Sequence, residues 1–168
     1  MERQLPIIGI NERISLVGLR RVNVPAKIDT GADGSAIWVS DLKVTKDGVL
    51  KFKLFGPQSP FYTGKVICRT NYNVAIIRGG NGIEQIRYRT HFRVHLKDKR
   101  LKLLFSLSDR STHNFPVIIG RRAISGRFLV DVSRRTIPQP NLSPSTAELN
   151  QENTQNPYQF YKKYVKKS

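Results

Sequence analysis

The chain has 168 residues and a net charge of +17, with 29 Lys and Arg against 12 Asp and Glu, and it is long enough to bury a core as one domain without a disulfide or metal. Its single cysteine, Cys68, excludes an internal disulfide and a cysteine zinc site, and favours a reducing, cytoplasmic compartment. Charged residues interrupt the N-terminal stretch, which argues against a signal peptide or membrane span, while the positive field attracts nucleic acid, anionic membrane or acidic protein without choosing among them.

From the N-terminus onward, short apolar runs alternate with turn residues. Apolar and polar side chains alternate with period two over positions 50–54, 86–97 and 101–107, which is typical of strands with one buried face. Further short apolar runs occupy positions 7–10, 14–17, 22–28, 66–67, 74–77, 115–119 and 128–132. Many short strands joined by Gly, Pro and Asn turns predict an all-β sandwich or barrel, with one short helix after Gly120.

The composition changes near Pro138. Positions 138–159 are rich in Pro, Asn, Gln, Ser and Thr and poor in large aliphatic residues, so they bury too little surface to offset the entropy of ordering. The positions that follow combine Tyr and Phe with Lys. We therefore predict a β domain over residues 1–137 and a flexible polar tail over 138–168 with an aromatic and lysine-rich end.

The sharpest local feature is Asp29-Thr30-Gly31-Ala32 at the end of an apolar run. Gly31 permits a tight turn that would lift the Asp29 carboxylate out of the strand, and Thr30 could hydrogen-bond neighbouring backbone. Ordinary turns use the same residues, so this motif alone does not distinguish a catalytic loop from a plain one.

A second segment, 115–121, places Ile118, Ile119 and Gly120 at the end of a buried strand. Asp-Thr-Gly-Ala followed much later by Ile-Ile-Gly-Arg resembles the retroviral protease pattern. The chain is more closely similar to a bacterial family of retropepsin-like aspartic peptidases, often called ATP-dependent zinc proteases and associated with glutamate-ligase systems. The resemblance runs over roughly residues 6–135 and includes Gly126-Arg127-Phe128-Leu129-Val130-Asp131-Val132-Ser133.

The resemblance implies an acid-protease-like, retropepsin-like closed β-barrel that hydrolyses peptide bonds, with Asp29 as the catalytic carboxylate. It implies an active-site loop of Thr30, Gly31 and Ala32, supported from beneath by Ile118, Ile119 and Gly120. Aspartic peptidases use two carboxylates that share a proton, whereas this chain has one Asp-Thr-Gly. The family's solution is a homodimer that brings Asp29 to its symmetry mate.

Two positions depart from the family pattern. Asp33-Gly34 stands where the family has a basic residue followed by Thr or Ser, and Ile10 replaces an aromatic residue. A carboxylate at Asp33 would disturb the titration of Asp29 if the two approach each other. The basic residues Arg121, Arg122 and Arg127 flank the Ile-Ile-Gly segment and, if they face the cleft, would favour acidic peptides. The association with glutamate ligases points the same way.

Gly79, Gly80 and Gly82 lie between two β-like runs. One interpretation is a plain hairpin turn. The other is a mobile flap that closes over bound peptide, as in retroviral proteases, with glycines at its tip. The sequence leaves both open.

No motif supports a metal or ATP site, despite the family's name. His91 and His95 lie in the clearest predicted strand, where about 3.3 Å per residue separates them by roughly 13 Å, too far for one ion. The Gly-rich segment 79–82 lacks the Lys-Ser/Thr of a phosphate-binding loop. We predict no cofactor and no metal.

Basic side chains recur over positions 87–102 and offer a rival function. Such a row is commonly a solvated face, but it could also contact nucleic acid or an acidic partner, which would make the chain a non-catalytic binding module on the same fold. The aromatic and lysine-rich tail would suit single-stranded nucleic acid. Nucleic-acid binding should depend steeply on salt and ignore Asp29, whereas cleavage should require Asp29.

Overall fold

The computed structural model describes residues 4–18, 23–78, 82–138 and 144–164. These residues form two compact units that divide between Ile137 and Pro138. The first unit is almost entirely β-structure, and the second is helical.

In the first unit, the described strands include six that close into a barrel and two, the first and the last, that form a separate two-stranded sheet. The strands are β1 (Ile7–Ile8), β2 (Asn11–Leu16), β3 (Asn23–Asp29), β4 (Ser35–Val44), β5 (Leu50–Leu54), β6 (Val66–Arg69), β7 (Asn73–Arg78), β8 (Glu84–Leu96), β9 (Lys99–Ser108), β10 (Val117–Gly120) and β11 (Leu129–Val130), with helix α1 (Arg121–Ile124) after β10. The barrel follows the order β10, β3, β2, β8, β9, β4 and closes because β4 also pairs with β10. Strands β5 and β6 extend the sheet beyond β4, and β7 pairs with β8. The predicted all-β closed barrel with a short helix after Gly120 is confirmed.

Alternating side chains of the strands fill the barrel. Leu50 and Phe52 of β5 and Val94 and Leu96 of β8 are buried, while Arg93 points to solvent. Complete burial of each such apolar side chain contributes roughly 1.5–3 kcal/mol. The period-two pattern of the sequence therefore reflects strands that have one face in the core and the other in solvent.

Strand β10 lies between β3 and β4, parallel to β3 and antiparallel to β4. Val117 and Ile119 point into the core and are fully buried. Gly120 stands opposite Asp29 in the register. Because parallel strands end at the same edge, the loop after β3 and the start of α1 meet there.

Two buried polar residues on β2, which we call the β2 clamp (Asn11 and Glu12), hold the end of the unit against the barrel. Asn11 Oδ1 accepts hydrogen bonds from the N–H groups of Thr136 (3.0 Å) and Ile137 (2.9 Å), and its Nδ2 donates to the Ile137 carbonyl (2.9 Å). Glu12 accepts hydrogen bonds from the Gly9 N–H (2.8 Å) and the Thr136 hydroxyl (3.0 Å). The bonds to Thr136 and Ile137 join residues 124 to 126 positions apart in sequence, so the barrel and its last residues depend on one another.

The second unit contains two helices, α2 (Pro144–Gln155) and α3 (Pro157–Tyr164), where the sequence led us to expect irregular chain. Each begins with proline, which suits the first turn of a helix. Asn156 caps α3 by accepting a hydrogen bond from the Gln159 N–H at 3.2 Å, as short polar side chains do. Local bonds of this kind form helices without a large core, and the flexibility of the tail stays a prediction. Across the described residues, no helix is long and apolar enough to cross a membrane.

Candidate active site

Asp29 ends β3, and the following loop folds back onto its carboxylate. Oδ1 of Asp29 accepts hydrogen bonds from the backbone N–H groups of Gly31 (3.1 Å) and Ala32 (3.2 Å). A short aspartate side chain readily takes the amides just ahead of it in a turn. The loop therefore fixes one carboxylate oxygen, while 23% of the side chain stays exposed.

The other oxygen, Oδ2, pairs with Lys27 Nζ at 3.1 Å. Alternate residues of a strand share a face, so Lys27 stands beside Asp29 on β3. Partial burial raises the pKa of Asp29, but the hydrogen bond and charge of Lys27, with the amides of Gly31 and Ala32, outweigh burial and lower this pKa below its ordinary value. The Asp29 carboxyl of a single chain is therefore ionised at neutral pH.

Thr30 and Gly31 act differently from the roles expected of them. Thr30 is exposed, and its hydroxyl makes no hydrogen bond to another described residue. A Cβ on Gly31 would lie 3.4 Å from Asp29 Oδ1, which is ordinary van der Waals contact. Gly31 thus serves the site mainly through its backbone N–H.

Gly120 packs directly against the loop. A Cβ at this position would lie 2.3 Å from the carbonyl oxygen of Gly34 and 2.9 Å from that of Ala32, so only glycine fits without displacing backbone. The Gly120 N–H donates to the buried hydroxyl of Ser35 at 3.1 Å. The expected contact between the Ile-Ile-Gly segment and the Asp29 loop is therefore present at Gly120, with Ser35 as an additional partner.

The first residues of α1 complete this support. The backbone N–H groups of Arg121 and Arg122 donate to the carbonyls of Ala32 (2.8 Å) and Asp33 (3.2 Å). The Arg121 guanidinium forms an ion pair with the Asp33 carboxylate. Asp33, the residue that departs from the family pattern, therefore has a cationic partner of its own, and the groups that shift the pKa of Asp29 are Lys27 and the two loop amides.

The other two candidate arginines are engaged or solvated. Arg127 Nη1 donates to the carbonyls of Arg122 (3.0 Å), Ser125 (3.4 Å) and Ala123 (3.5 Å), and so caps the C-terminal end of α1. The Arg122 side chain is exposed. The structure gives Arg127 a supporting role in α1, and contact of these arginines with substrate stays a prediction.

The structure adds a buried cation that the sequence analysis did not single out. Arg110, in the segment between β9 and β10, is 7% exposed and donates from Nε to the Phe115 carbonyl at 3.0 Å. Burial lowers its pKa, as does the neighbouring guanidinium of Arg87, while the carboxylate of Asp29 raises it. Since arginine keeps its proton in proteins, Arg110 is a permanent positive charge that interacts with Asp29, and Arg87 is a second one near Arg110.

Strands β7 and β8 form the hairpin predicted around the Gly-rich segment, with Arg78 opposite Glu84 at its outer end. Gly82 has a φ of +77°, a conformation that favours glycine. Gly79 and Gly80 lie outside the described residues. Ile76 and Ile86 face each other across the hairpin and are 67% and 75% exposed. This exposed apolar pair distinguishes the hairpin from an ordinary solvated one.

The chain was compared with known proteins and structures. A model of the RimB-like family, described as retropepsin-like aspartic endopeptidase RimB, matches residues 7–141. The chain belongs to this family. No curated protein matches it. Among solved structures, protein Lpg0085 of Legionella pneumophila subsp. pneumophila str. Philadelphia 1, of unknown function (DUF785), has a TM-score of 0.55 and 20% sequence identity, covering 77% of this chain and 95% of that chain. At that identity the likeness supports the fold alone.

Membership of the RimB-like family confirms the resemblance seen in the sequence. The structure brings Asp29, its loop, Gly120 and the start of α1 together at one edge of the barrel. His91 and His95 lie on β8, the extended strand from which their separation was argued. Within the described ranges, no three His, Cys, Asp or Glu side chains are grouped as metal ligands would be.

One further residue of the site, Lys27, could have been found from the sequence. The pairing of Lys27 with Asp29 follows from their spacing in a strand that was already predicted. Ser35 lies in the motif but gave no sign of its bond to a residue 85 positions away. Arg110 carried no local signal, because its position depends on the path of the chain between β9 and β10.

Proposed function

We propose that this RimB-like protein is an aspartic endopeptidase whose catalytic carboxylate is Asp29. The observation that carries the proposal is the Asp29 carboxylate itself, which is ionised and partly exposed on a loop held by Gly120 and α1. The loop amides hold one oxygen and Lys27 pairs with the other, and 23% of the side chain stays exposed. The lone, exposed Cys68 supports a cytoplasmic location for the enzyme.

The reaction requires a second carboxylate, which we propose comes from Asp29 of a second copy across a twofold axis. Asp33 is a poor substitute because Arg121 pairs with it. Two aspartates brought together raise one another's pKa, so the pair would hold one shared proton. The ionised carboxylate then takes a proton from a water molecule, and the oxygen of that water attacks the carbonyl carbon of the peptide. The protonated carboxyl supplies a proton to the leaving nitrogen as the C–N bond breaks.

We propose that the substrates are acidic peptides. Lys27 pairs with Asp29, Arg110 interacts with the Asp29 carboxylate and is held by burial and by the Phe115 carbonyl, and Arg87 lies near Arg110. A cationic cleft raises the local concentration of anionic peptide and accelerates its encounter. These three cations take the place of Arg121, whose charge Asp33 offsets, as the main support for acidic selectivity.

The hairpin of β7 and β8 is a suitable flap for this site. Its exposed Ile76 and Ile86 side chains would be buried from solvent when the hairpin closes over bound peptide. Arg87 lies on the same hairpin, one residue beyond Ile86, so closure would also move a positive charge. We propose that the hairpin closes over bound substrate.

Digestion of a peptide library by wild type and Asp29→Asn tests the peptidase function. We expect the substitution to reduce the cleavage rate by about a hundredfold to ten-thousandfold, the contribution of a general acid–base group. The matched control is Asp98→Asn, which removes the same charge at the exposed turn between β8 and β9. Equal cleavage by wild type and Asp29→Asn would reject Asp29 as the catalytic residue.

Dilution tests the dimer. If one chain supplies only one carboxylate, the cleavage rate per chain should fall as the protein is diluted through its dissociation range, which analytical ultracentrifugation defines. A rate per chain that stays constant in monomeric protein would contradict a shared site.

Comparing the cleavage rates of glutamate-rich and neutral peptides of equal length tests the substrate class. The glutamate-rich peptide should be cleaved faster, and this difference in rate should shrink as salt increases.

A further inference from the structure

A second basic site lies on β8, apart from the Asp29 loop. Strand β7 pairs with β8 at positions 84–89 and β2 pairs with it at positions 94–96. A cavity of about 400 Å³ opens beside the intervening residues. The polar side chains that line it are Arg69, Asn71, Thr90, His91, Arg93 and Lys102, which we call the β8 pocket.

Like charges face one another in this pocket. Arg93 of β8 and Lys102 of β9 are directly opposite in the register, and both are exposed. Like charges in directly opposed positions destabilise a sheet. Neither side chain forms an ion pair with any residue in the described part of the chain. An anion placed between them would convert a repulsion into two attractions.

A third cation is held at the pocket without being neutralised. The Arg69 guanidinium lies over the Phe92 ring, with Cζ 5.6 Å from the ring centroid, and its Nη1 donates to the Cys68 carbonyl at 3.1 Å. The buried Thr90 hydroxyl donates to the Asn71 carbonyl at 3.0 Å, which fixes the chain entering β7 against β8. The pocket is therefore formed by side chains that are already held in position, which lowers the entropy cost of binding an anion.

We propose that the β8 pocket is a docking site for carboxylates of an acidic polypeptide substrate, outside the cleft that contains Asp29. This inference rests on the proposed acidic-peptide function. Arginine takes a carboxylate through two parallel hydrogen bonds, and Lys102 adds a point charge beside it. An extended peptide presents alternate side chains at the same spacing as alternate residues of a strand, so its carboxylates can follow the cations along the sheet.

The lining favours an acidic peptide over single-stranded nucleic acid. Proteins that bind single-stranded nucleic acid without sequence preference use exposed aromatic rings on which the bases stack. The pocket's one aromatic lining residue, Phe92, is 7% exposed and is covered by Arg69. The pocket therefore offers charge and hydrogen bonding but no stacking surface.

The fold also sets the length of peptide that the docking site would require. The β8 pocket shares strand β8 with Arg87, which lies near Arg110, and Arg110 in turn interacts with Asp29. From position 87 to position 93 an extended strand covers roughly 20 Å at about 3.3 Å per residue. A glutamate peptide of about four residues spans roughly 13 Å and falls short, whereas one of about twelve spans roughly 40 Å and reaches both sites.

Binding and kinetics with these two glutamate peptides test the proposal. Fluorescence anisotropy with labelled long peptide is measured on Asp29→Asn protein, which does not consume the probe. Adding Arg93→Gln and Lys102→Gln should weaken binding by about fivefold to thirtyfold, as expected for two exposed ion pairs. The matched control is Lys46→Gln with Lys65→Gln, which removes the same charge from exposed positions elsewhere and should change binding by less than about twofold.

In cleavage assays with Asp29 intact, the pocket substitutions should raise the KM for the long peptide. The KM for the short peptide should rise less. Equal weakening by the pocket and control substitutions would reject the docking site. Displacement of the peptide by polyuridylate at lower concentration than by the unlabelled peptide would reassign the pocket to nucleic acid and reject the proposal. If wild type cleaves neither peptide while the pocket substitutions still weaken binding, docking stands and the peptidase function fails.

Discussion

Two carboxylates on the neighbouring strands β2 and β3 have opposite surroundings. The Glu12 side chain is 5% exposed and its oxygens bind Gly9 and Thr136, the latter 124 residues away. The Asp29 side chain is 23% exposed, and its hydrogen bonds go to residues within its own strand and loop. Long-range bonds make Glu12 part of the fold, whereas short-range bonds position Asp29 and leave it open to a ligand. Glu12 therefore has a partner 124 residues away in sequence, whereas the hydrogen-bond partners of Asp29 lie within three residues of it.

The largest stability effect should come from Glu12→Ala. It leaves the buried Gly9 N–H and the Thr136 hydroxyl without an acceptor, and we expect a loss of about 3 kcal/mol in the free energy of unfolding, the usual size for bonds to a charged group. Urea denaturation measures the loss. Asp29→Asn should remain within about 1 kcal/mol of wild type, because it keeps the shape of the loop and its partners are local. A greater loss at Asp29 than at Glu12 would contradict the comparison.

Gly120→Ala tests whether the support beneath the Asp29 loop is steric. Its Cβ would meet the Gly34 carbonyl oxygen at 2.3 Å, so backbone must move, at an expected cost of about 2 kcal/mol. The control is Gly34→Ala, whose Cβ meets nothing within 4 Å and should cost less than about 1 kcal/mol. Thermal unfolding of both proteins gives the comparison, and equal losses would show that contact at Gly120 is not the cause.

Lys27→Met sharpens the account of the Asp29 carboxylate. Without the Lys27 hydrogen bond and charge, burial is opposed only by the two loop amides, so the pKa of Asp29 should rise relative to wild type. Carbon-detected NMR titration of the Asp29 carboxyl measures the change in dilute, monomeric protein. Lys27→Arg keeps the charge and should keep the pKa low. An unchanged pKa in Lys27→Met would assign the lowering to the loop amides alone.

The smallest effect should be on stability in acid. The pKa of Asp29 is lower in the folded chain than its ordinary value of 3.8, so the unfolded chain binds more protons as the pH falls. The stabilisation is complete above the unfolded value and is lost as the pH falls through the folded one. Wild type should therefore lose stability faster than Asp29→Asn between about pH 5 and about pH 2. Parallel losses in urea titrations across this range would contradict the lowered pKa.

Much of the barrel could be predicted because its strands carry strict alternation. Strand β8 alternates between buried and more exposed side chains from Thr90 to Leu96, and β10 is a run of aliphatic residues ending in the glycine that packs against the Asp29 loop. The β2 clamp was missed because a buried Asn11 and Glu12 look like surface residues until their distant partners are known. The helices α2 and α3 were missed because composition indicates how much apolar surface a segment can bury. It says little about the local hydrogen bonds that form a helix.

Residues of the candidate site that lie in a sequence motif could be predicted. Residues that reach the site only through the path of the folded chain could not. Asp29 and Gly120 lie in recognisable segments, whereas Arg110 acquires its place from the turn between β9 and β10. The Gly-rich hairpin tip lies partly outside the described residues, so the choice between a plain turn and a flap stays a prediction.

The insertion of β10 between β3 and β4 has a consequence for the order in which the Asp29 loop and its support are synthesised. Ser35 and Gly120 are 85 residues apart, and at about 5–20 residues per second a ribosome needs roughly 4–17 s to add that length. During this time the growing chain already carries Asp29 but lacks the strand that supports its loop. Contacts so distant in sequence also form slowly. The Asp29 loop therefore acquires its support only after the last strand of the barrel, β10, has been synthesised.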